Sequence, residues 1–170
     1  MKASQHLETV RNLVIKLGAT DAKIIPANQV VVNHWVRWKC RFGCPSYNTS
    51  LMCPPYSPTP DETRALLGEY EHAIFFSFQS STSRNIAADI EHQVFLQGYP
   101  AAIALTFGSC HFCDTCNLDV GYCRHPQQTR PSMEGCGINV FATAANAGYS
   151  LTVKTSRDQE YTRYGLLLVQ

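Results

Sequence analysis

The placement of eight cysteines constrains this chain more than any other feature of its sequence. Seven of them form two groups, Cys40-x3-Cys44-x8-Cys53 and Cys110-x2-Cys113-x2-Cys116-x6-Cys123, and the eighth is Cys136. Both groups lie in stretches that lack helical or strand periodicity and are rich in Pro, Gly, Asn or Asp. We therefore predict two long Cys-rich loops, at about residues 40–58 and 109–131, and we expect these loops to carry the functional site.

The remaining composition is that of one ordinary domain. The 170 residues are 45% hydrophobic, enough for a single domain over residues 1–170 with a buried core. Lys and Arg number 14 and Asp and Glu 13, so no excess of positive charge favours a nucleic-acid partner. No apolar run is long enough to cross a membrane, and the N-terminal residues lack the pattern of a secretory signal. We expect a cytoplasmic protein, in which Cys motifs more often bind metal or do redox chemistry than form disulfides.

The hydrophobic pattern predicts a mixture of helices and strands. A first helix is indicated by apolar residues from Leu7 to Leu17, and a helix to about Glu69 opens with a capping box of Thr59 and Glu62. Two further helices are expected, from Ile86 to near Gly98 and from about Met133 to Ala147. Shorter strands are expected at Lys23–Ile25, Val30–Val32 and Gly165–Val169, and the alternating stretch His34–Lys39 is interpreted as a strand with one wet face.

Two runs, Ala73–Phe78 and Ala101–Phe107, are apolar on both faces, as the central strands of a parallel sheet are. A predicted helix joins them, which indicates a right-handed strand–helix–strand unit. The predicted fold is therefore a single α/β domain with a mostly parallel central sheet, helices packed on it and two Cys-rich metal-binding loops.

The second Cys group has the spacing of an iron–sulfur ligand loop. Its first three thiols repeat the C-x2-C-x2-C core of bacterial ferredoxins, whereas Cys123 follows after six residues and precedes Arg124 instead of Pro. This pattern predicts a four-thiolate site and not an identical ferredoxin loop. A structural zinc site is the alternative, although zinc ribbons usually present two separated C-x2-C pairs, and plain thiols or disulfides are a third interpretation. Arg124, Arg130 and Glu134 either line this site or act as surface ion-pair partners and helix-start residues.

The first Cys group supplies only three thiolates, from Cys40, Cys44 and Cys53. A fourth ligand could come from Cys136, or Cys136 could simply pack as a small hydrophobic residue. The position could also stay open, which would leave one iron free to bind substrate. Histidines are the other candidates for the fourth ligand: His34, His111 and His125.

Several of these motifs together resemble a known family. They are Lys39-Cys40, Gly43-Cys44, Leu51-Met52-Cys53-Pro54-Pro55-Tyr56-Ser57-Pro58, the second Cys group with Arg124 and Pro126, and Arg130-Pro131-Ser132-Met133-Glu134-x2-Gly137-Ile138. The chain resembles the prokaryotic predicted metal-binding proteins grouped as domain of unknown function 2284, over nearly its whole length. The resemblance implies metal binding in a redox or anaerobic setting, through seven recurrent Cys that match Cys40, Cys44, Cys53, Cys110, Cys113, Cys116 and Cys123.

The sequence thus predicts a protein with one or two [4Fe–4S] clusters and a redox or Lewis-acid role. As an enzyme it would be an iron–sulfur oxidoreductase or a lyase-type enzyme, with a small-molecule substrate at the three-Cys site and electrons from the four-Cys site. The alternatives are an electron-transfer or metal-carrier module for a larger redox partner protein, and a zinc-stabilised adaptor. Neither G-x-G-x-x-G nor G-x4-G-K-[ST] occurs, so no flavin or NAD site is predicted.

Overall fold

A four-stranded antiparallel sheet forms the centre of the fold. The computed structural model describes residues 2–79, 86–156, 159 and 161–169. The strands of the sheet are β1 (Asp21–Pro26), β2 (His72–Phe78), β3 (Ile103–Leu105) and β4 (Arg163–Val169). They lie in the order β1-β2-β4-β3, and each neighbouring pair is antiparallel.

The mostly parallel sheet expected from the sequence is wrong. Strands β2 and β3 do point the same way and are separated along the chain by a helix, but β4 lies between them and pairs with both. The result is a split strand–helix–strand arrangement. A strand that is apolar on both faces is covered on both faces. This burial does not show whether the neighbouring strands run parallel or antiparallel to it.

Helices cover both faces of the sheet. On one face, α1 (Lys2–Lys16) and α4 (Ile86–Leu96) pack on Ile74, Phe76 and Leu167. On the other face, α3 (Pro60–Leu67) and α5 (Val140–Asn146) pack with residues 133–138 on Phe75, Leu166 and Leu168. Because successive strand residues point to opposite faces, β2 and β4 contribute to both cores. None of the helices in the described part of the chain is long and apolar enough to cross a membrane.

Local sequence signals located several of these elements correctly. Helices α1 and α4 and strands β1, β2 and β4 lie where the sequence predicts them. The capping box at the start of α3 is confirmed: the Glu62 N–H donates to Thr59 Oγ1 at 3.2 Å, and the Thr59 N–H donates to the Glu62 carboxylate at 2.7 Å. Helix α3 ends at Leu67, two residues before the predicted end.

Four predictions about the remaining elements are wrong. The stretch His34–Lys39 belongs to helix α2 (His34–Gly43), because Val36 turns into the core and Trp38 packs on Phe42 one turn later. Residues 30–32 form only a bridge between Val32 and Ile138. The strand predicted over 101–107 is limited to β3. The helix predicted over 133–147 is limited to α5, because residues 133–137 form turns and the flanking residues bond to residues 31, 33 and 106.

Candidate metal centre

The two Cys-rich stretches lie against each other at one end of the molecule. The Leu51 N–H, from the first stretch, donates to Cys116 Sγ of the second at 3.4 Å. In the opposite direction, burial raises the pKa of Cys53 and the Cys110 N–H beside its thiol partly offsets that rise. The sequence predicts both loops but gives no sign that they meet, since residues 59–108 lie between them along the chain.

All four thiols of the second group line one cavity of about 400 Å³. Cys110, Cys113, Cys116 and Cys123 share its wall with residues 46 and 48–52 of the first stretch. Each of these four thiols is partly buried. The loop that carries them follows β3, which ends at Leu105, and Gly108 adopts a positive φ of 62° near its start.

Backbone N–H groups point at several of these sulfurs. The His125 N–H donates to Cys123 Sγ at 3.3 Å. Burial raises the pKa of Cys110, and the Phe112 N–H beside its thiol partly offsets that rise. Together with the bond from Leu51 to Cys116, these donors stabilise negative charge on sulfur. Hydrogen bonds to sulfur are also one of the means by which proteins set the potential of an iron–sulfur cluster.

Arg124 holds this loop in shape. Its guanidinium donates to the Thr115 carbonyl at 3.0 Å and to Asn117 Oδ1 at 3.3 Å, so it ties the residue after Cys123 to both neighbours of Cys116. Arg124 therefore lines the cavity, as one of its two predicted roles requires. Arg130 instead forms a largely buried ion pair with Glu91 of α4, with Nε 2.8 Å from Oε2, and anchors the far end of the loop to that helix.

The three thiols of the first group form a second neighbourhood. Cys40 lies in the last part of α2, not in a loop as predicted, Cys44 caps that helix, and Cys53 is buried in the turn that follows. Burial raises the pKa of Cys40, and the charges of Cys44, Glu134 and Cys53 raise it further. The thiols of this group are thus close enough to interact electrostatically.

Ser50 connects the two groups of thiols. Burial raises the pKa of both Cys53 and Cys110, and the Ser50 hydroxyl, which lies near both thiols and can donate its one hydrogen to either, partly offsets this rise. Ser50 is itself buried, and its oxygen accepts from the Met52 N–H at 3.2 Å. No sequence signal marks this serine, since its role depends on the contact between two loops that are distant in sequence.

Residues 131–139, here called the connecting segment, join both loops to the sheet. Next to β3, the Met133 N–H donates to the Thr106 carbonyl at 2.9 Å. Next to the first stretch, the Ser57 hydroxyl donates to the Gly135 carbonyl at 2.8 Å, and Thr63 donates to the Cys136 carbonyl at 2.8 Å. The helix that the sequence predicts from Met133 therefore starts only at Val140.

The candidate fourth ligands of the three-Cys group differ in position. Cys136 is 1% exposed and packs in the core, where burial raises its pKa to about 12. His34 is exposed and lies 3.4 Å from Asp61 Oδ1. His111 and His125 belong to the loop of the four-Cys group: His111 Nε2 lies 2.9 Å from Ser109 Oγ, and the His125 ring packs on Phe112.

The donor set in this region is suited to a metal cofactor. Seven thiols lie in two adjoining groups, and sulfur donors select zinc and iron–sulfur clusters among biological cofactors. Over the residues that the structure describes, no three Cys, His, Asp or Glu side chains converge on a point that could hold a single metal ion. The four thiols of the second group therefore line the wall of a cavity and do not form a finished coordination sphere.

Comparison with known proteins identifies the family. The family model described as "Predicted metal-binding protein (DUF2284)" matches residues 23–169, which is most of the chain. No curated protein and no solved structure shows a significant match. The chain therefore belongs to the DUF2284 family of predicted metal-binding proteins.

Proposed function

We propose that this member of the DUF2284 family binds a [4Fe–4S] cluster through Cys110, Cys113, Cys116 and Cys123. The observation that supports the proposal is the single cavity that these four thiols line, together with the N–H donors directed at three of them. Their C-x2-C-x2-C core is the ligand spacing of bacterial iron–sulfur proteins. A cluster bound there supplies one-electron transfer.

The chain's own groups would tune that cofactor. The N–H groups of Leu51, Phe112 and His125 stabilise negative charge on the sulfurs. They would therefore raise the reduction potential of a cluster bound there, because the reduced cluster is the more negative form. Arg124 keeps the loop closed around the cavity through Thr115 and Asn117.

Cys40, Cys44 and Cys53 are the proposed ligands of a second cluster. Three thiolates leave one iron without a Cys ligand, and an iron of this kind can act as a Lewis acid toward a small-molecule substrate. The contact between Cys53 and Cys110 places this group beside the four-Cys cavity. The pair of sites supports an iron–sulfur oxidoreductase or a lyase-type enzyme.

A role as an electron-transfer or metal-carrier module is the second candidate, and exposed apolar side chains near the thiols favour it. Trp38 and Phe42, on the helix that carries Cys40, are 64% and 72% exposed. Val120 and Tyr122, in the loop of the four-Cys group, are 71% and 64% exposed. Exposed aromatic and apolar groups around a redox site suit docking on a redox partner protein.

The test is metal and sulfide analysis of protein purified without oxygen. We expect iron and acid-labile sulfide in equal amounts, with a visible absorption band that bleaches on reduction. Cys116→Ala should lose the iron of the four-Cys site. Stoichiometric zinc without sulfide would overturn the proposal and favour a zinc-stabilised adaptor instead. Docking on a partner is tested separately, because it predicts fast electron exchange with a redox protein and no turnover of any small molecule.

A further inference from the structure

Two buried side-chain oxygens in the described part of the chain have no hydrogen-bond partner, Thr106 Oγ1 and Glu134 Oε2. A buried hydroxyl without a hydrogen-bond partner lowers the stability of the fold modestly, whereas a buried carboxylate oxygen without a partner lowers it much more. Buried polar groups in native proteins are nearly always satisfied, and an exception calls for a specific explanation such as a bound ion. Glu134 is therefore the side chain in this structure that most needs a further partner.

The surroundings of Glu134 do not provide that partner. The N–H groups of Glu134 itself and of Gly108 and the Ser132 side chain lie near its carboxylate, but Oε2 has no hydrogen-bond partner. It takes part in none of the ion pairs found among the described residues. Arg37, whose charge acts on Cys40 and Cys136, donates instead to the carbonyls of Pro58 at 3.1 Å and Pro55 at 3.2 Å.

Glu134 lies near the three-Cys group. The Ser57 hydroxyl donates to the carbonyl of Gly135, the next residue after Glu134, at 2.8 Å, and the Ser57 N–H donates to the Cys53 carbonyl at 3.1 Å. The charge of Glu134 also helps to raise the pKa of Cys40, after burial and Cys44, and the Gly108 N–H near the carboxylate belongs to the start of the loop that carries Cys110. The connecting segment thus holds one under-satisfied carboxylate between the two groups of thiols.

We propose that Glu134 is the fourth protein ligand of the Cys40, Cys44 and Cys53 site, binding through Oε2 the iron that these thiols leave without a Cys ligand. This inference rests on the proposed function, because it needs a metal at the three-Cys site. A carboxylate oxygen is an ordinary metal ligand, and ligation would satisfy the buried oxygen.

Glu134 fits this role better than the ligands considered from the sequence. Cys136, two residues later, turns into the hydrophobic core and interacts with Thr63. His34 lies on the surface beside Asp61 and Arg64. A carboxylate also binds an iron of an iron–sulfur cluster less tightly than a thiolate does. A substrate heteroatom could therefore displace the carboxylate, and the iron would remain reactive.

The test is spectroscopy of the full chain, reconstituted with iron and sulfide without oxygen and labelled with ¹³C only in glutamate side-chain carboxyls. Direct ligation predicts a ¹³C hyperfine coupling in the electron–nuclear double resonance spectrum of the reduced wild-type protein. The coupling should vanish in Glu134→Gln, which keeps the shape of the side chain, and persist in the exposed control Glu71→Gln. We also expect Glu134→Gln to weaken iron binding at this site by at least about tenfold.

Cys44→Ala separates the two proposals, because alanine has no ligand atom. It should remove about four of the roughly eight irons that two clusters would hold. If Cys44→Ala keeps all its iron, the three-Cys site does not exist and the inference falls with it. If Cys44→Ala loses iron but the wild-type protein shows no ¹³C coupling, Glu134 is not a ligand while the proposed second cluster stands. The wild-type spectrum decides this even if Glu134→Gln does not fold.

Discussion

The eight thiols share one chemistry but differ in their surroundings. Cys44 is exposed, Cys53 is buried between the loops, and Cys136 is buried in the core. Burial raises the pKa of Cys40, Cys53 and Cys110, so in the metal-free protein these thiols keep their protons more strongly than free cysteine does. A metal requires the thiolate form, so loading must release protons, and the N–H donors at the sulfurs reduce the cost of that step.

Cys136→Ala should separate packing from metal binding at the level of one residue. The Cys136 side chain is enclosed by the core on the α5 side of the sheet, so we expect its loss to lower the free energy of unfolding by about 1 kcal/mol. Iron content and the EPR signal should stay at the wild-type level. Urea unfolding and metal analysis of the same preparations check both parts.

Cys116→Ala is the matched variant, because Cys116 lines the proposed cluster cavity and is only partly buried. It should lose metal with little effect on the core. An altered EPR signal in Cys136→Ala would contradict the packing role and make Cys136 a ligand.

At the level of elements, strand β4 depends on a close approach at Gly165. A Cβ placed there would lie 2.5 Å from the Phe76 ring of the neighbouring strand, and Phe76 is fully buried. The ring cannot move away in a packed core, so Gly165→Ala should destabilise the protein by about 1–3 kcal/mol. Thermal or urea unfolding of the metal-free chain measures the change.

Gly43→Ala is the control for this substitution. A Cβ at Gly43 meets nothing within 4 Å, and the residue ends helix α2. Alanine there should leave stability unchanged or raise it slightly. Equal losses in the two variants would show that the effect at Gly165 is not a clash with Phe76.

The elements also show which parts of the fold can be predicted from sequence. The Thr59–Glu62 capping box and the buried run of β2 are local signals, and both were predicted correctly. The pairing of β4 with both β2 and β3 is a choice among strands distant in the sequence, and no local pattern encodes it. Six alternating residues at the start of α2 fit a strand as well as a helix, and tertiary packing of Val36 decides between them.

Only part of the candidate site could likewise be predicted from the sequence. The thiols could be, because the geometry of a bound cluster requires a characteristic local spacing of its Cys ligands. Glu134 could be noted from its proximity to the Cys loop, but its burial could not be foreseen. The predicted helix from Met133 is replaced by bonds from the connecting segment to Thr106, Ser57 and Thr63, and these bonds determine where the carboxylate lies.

For the molecule as a whole, the sheet and the thiols are held by different interactions. Both hydrophobic cores are built on β2 and β4 and include, among the cysteines, only Cys136. The Cys-rich stretches instead depend on turns, on Arg124 and Arg37, and on the bonds to the connecting segment. Few apolar contacts and many exposed hydrogen bonds are typical of regions that open at low free energy.

Removing the metal should therefore disorder the Cys-rich loops while the sheet stays folded. Hydrogen exchange of the chelated and the loaded protein, followed by mass spectrometry, should show loss of protection at about residues 44–58 and 108–130. Peptides that cover β2 and β4 serve as the internal control and should keep their protection, since Ile74, Leu166 and Leu168 are fully buried without any help from the thiols. If chelation instead exposes these strands together with the loops, the cofactor would be part of the folding unit, as in zinc fingers. A zinc-stabilised adaptor would then fit the molecule better than a scaffold that folds first and presents two groups of thiols to a redox cofactor.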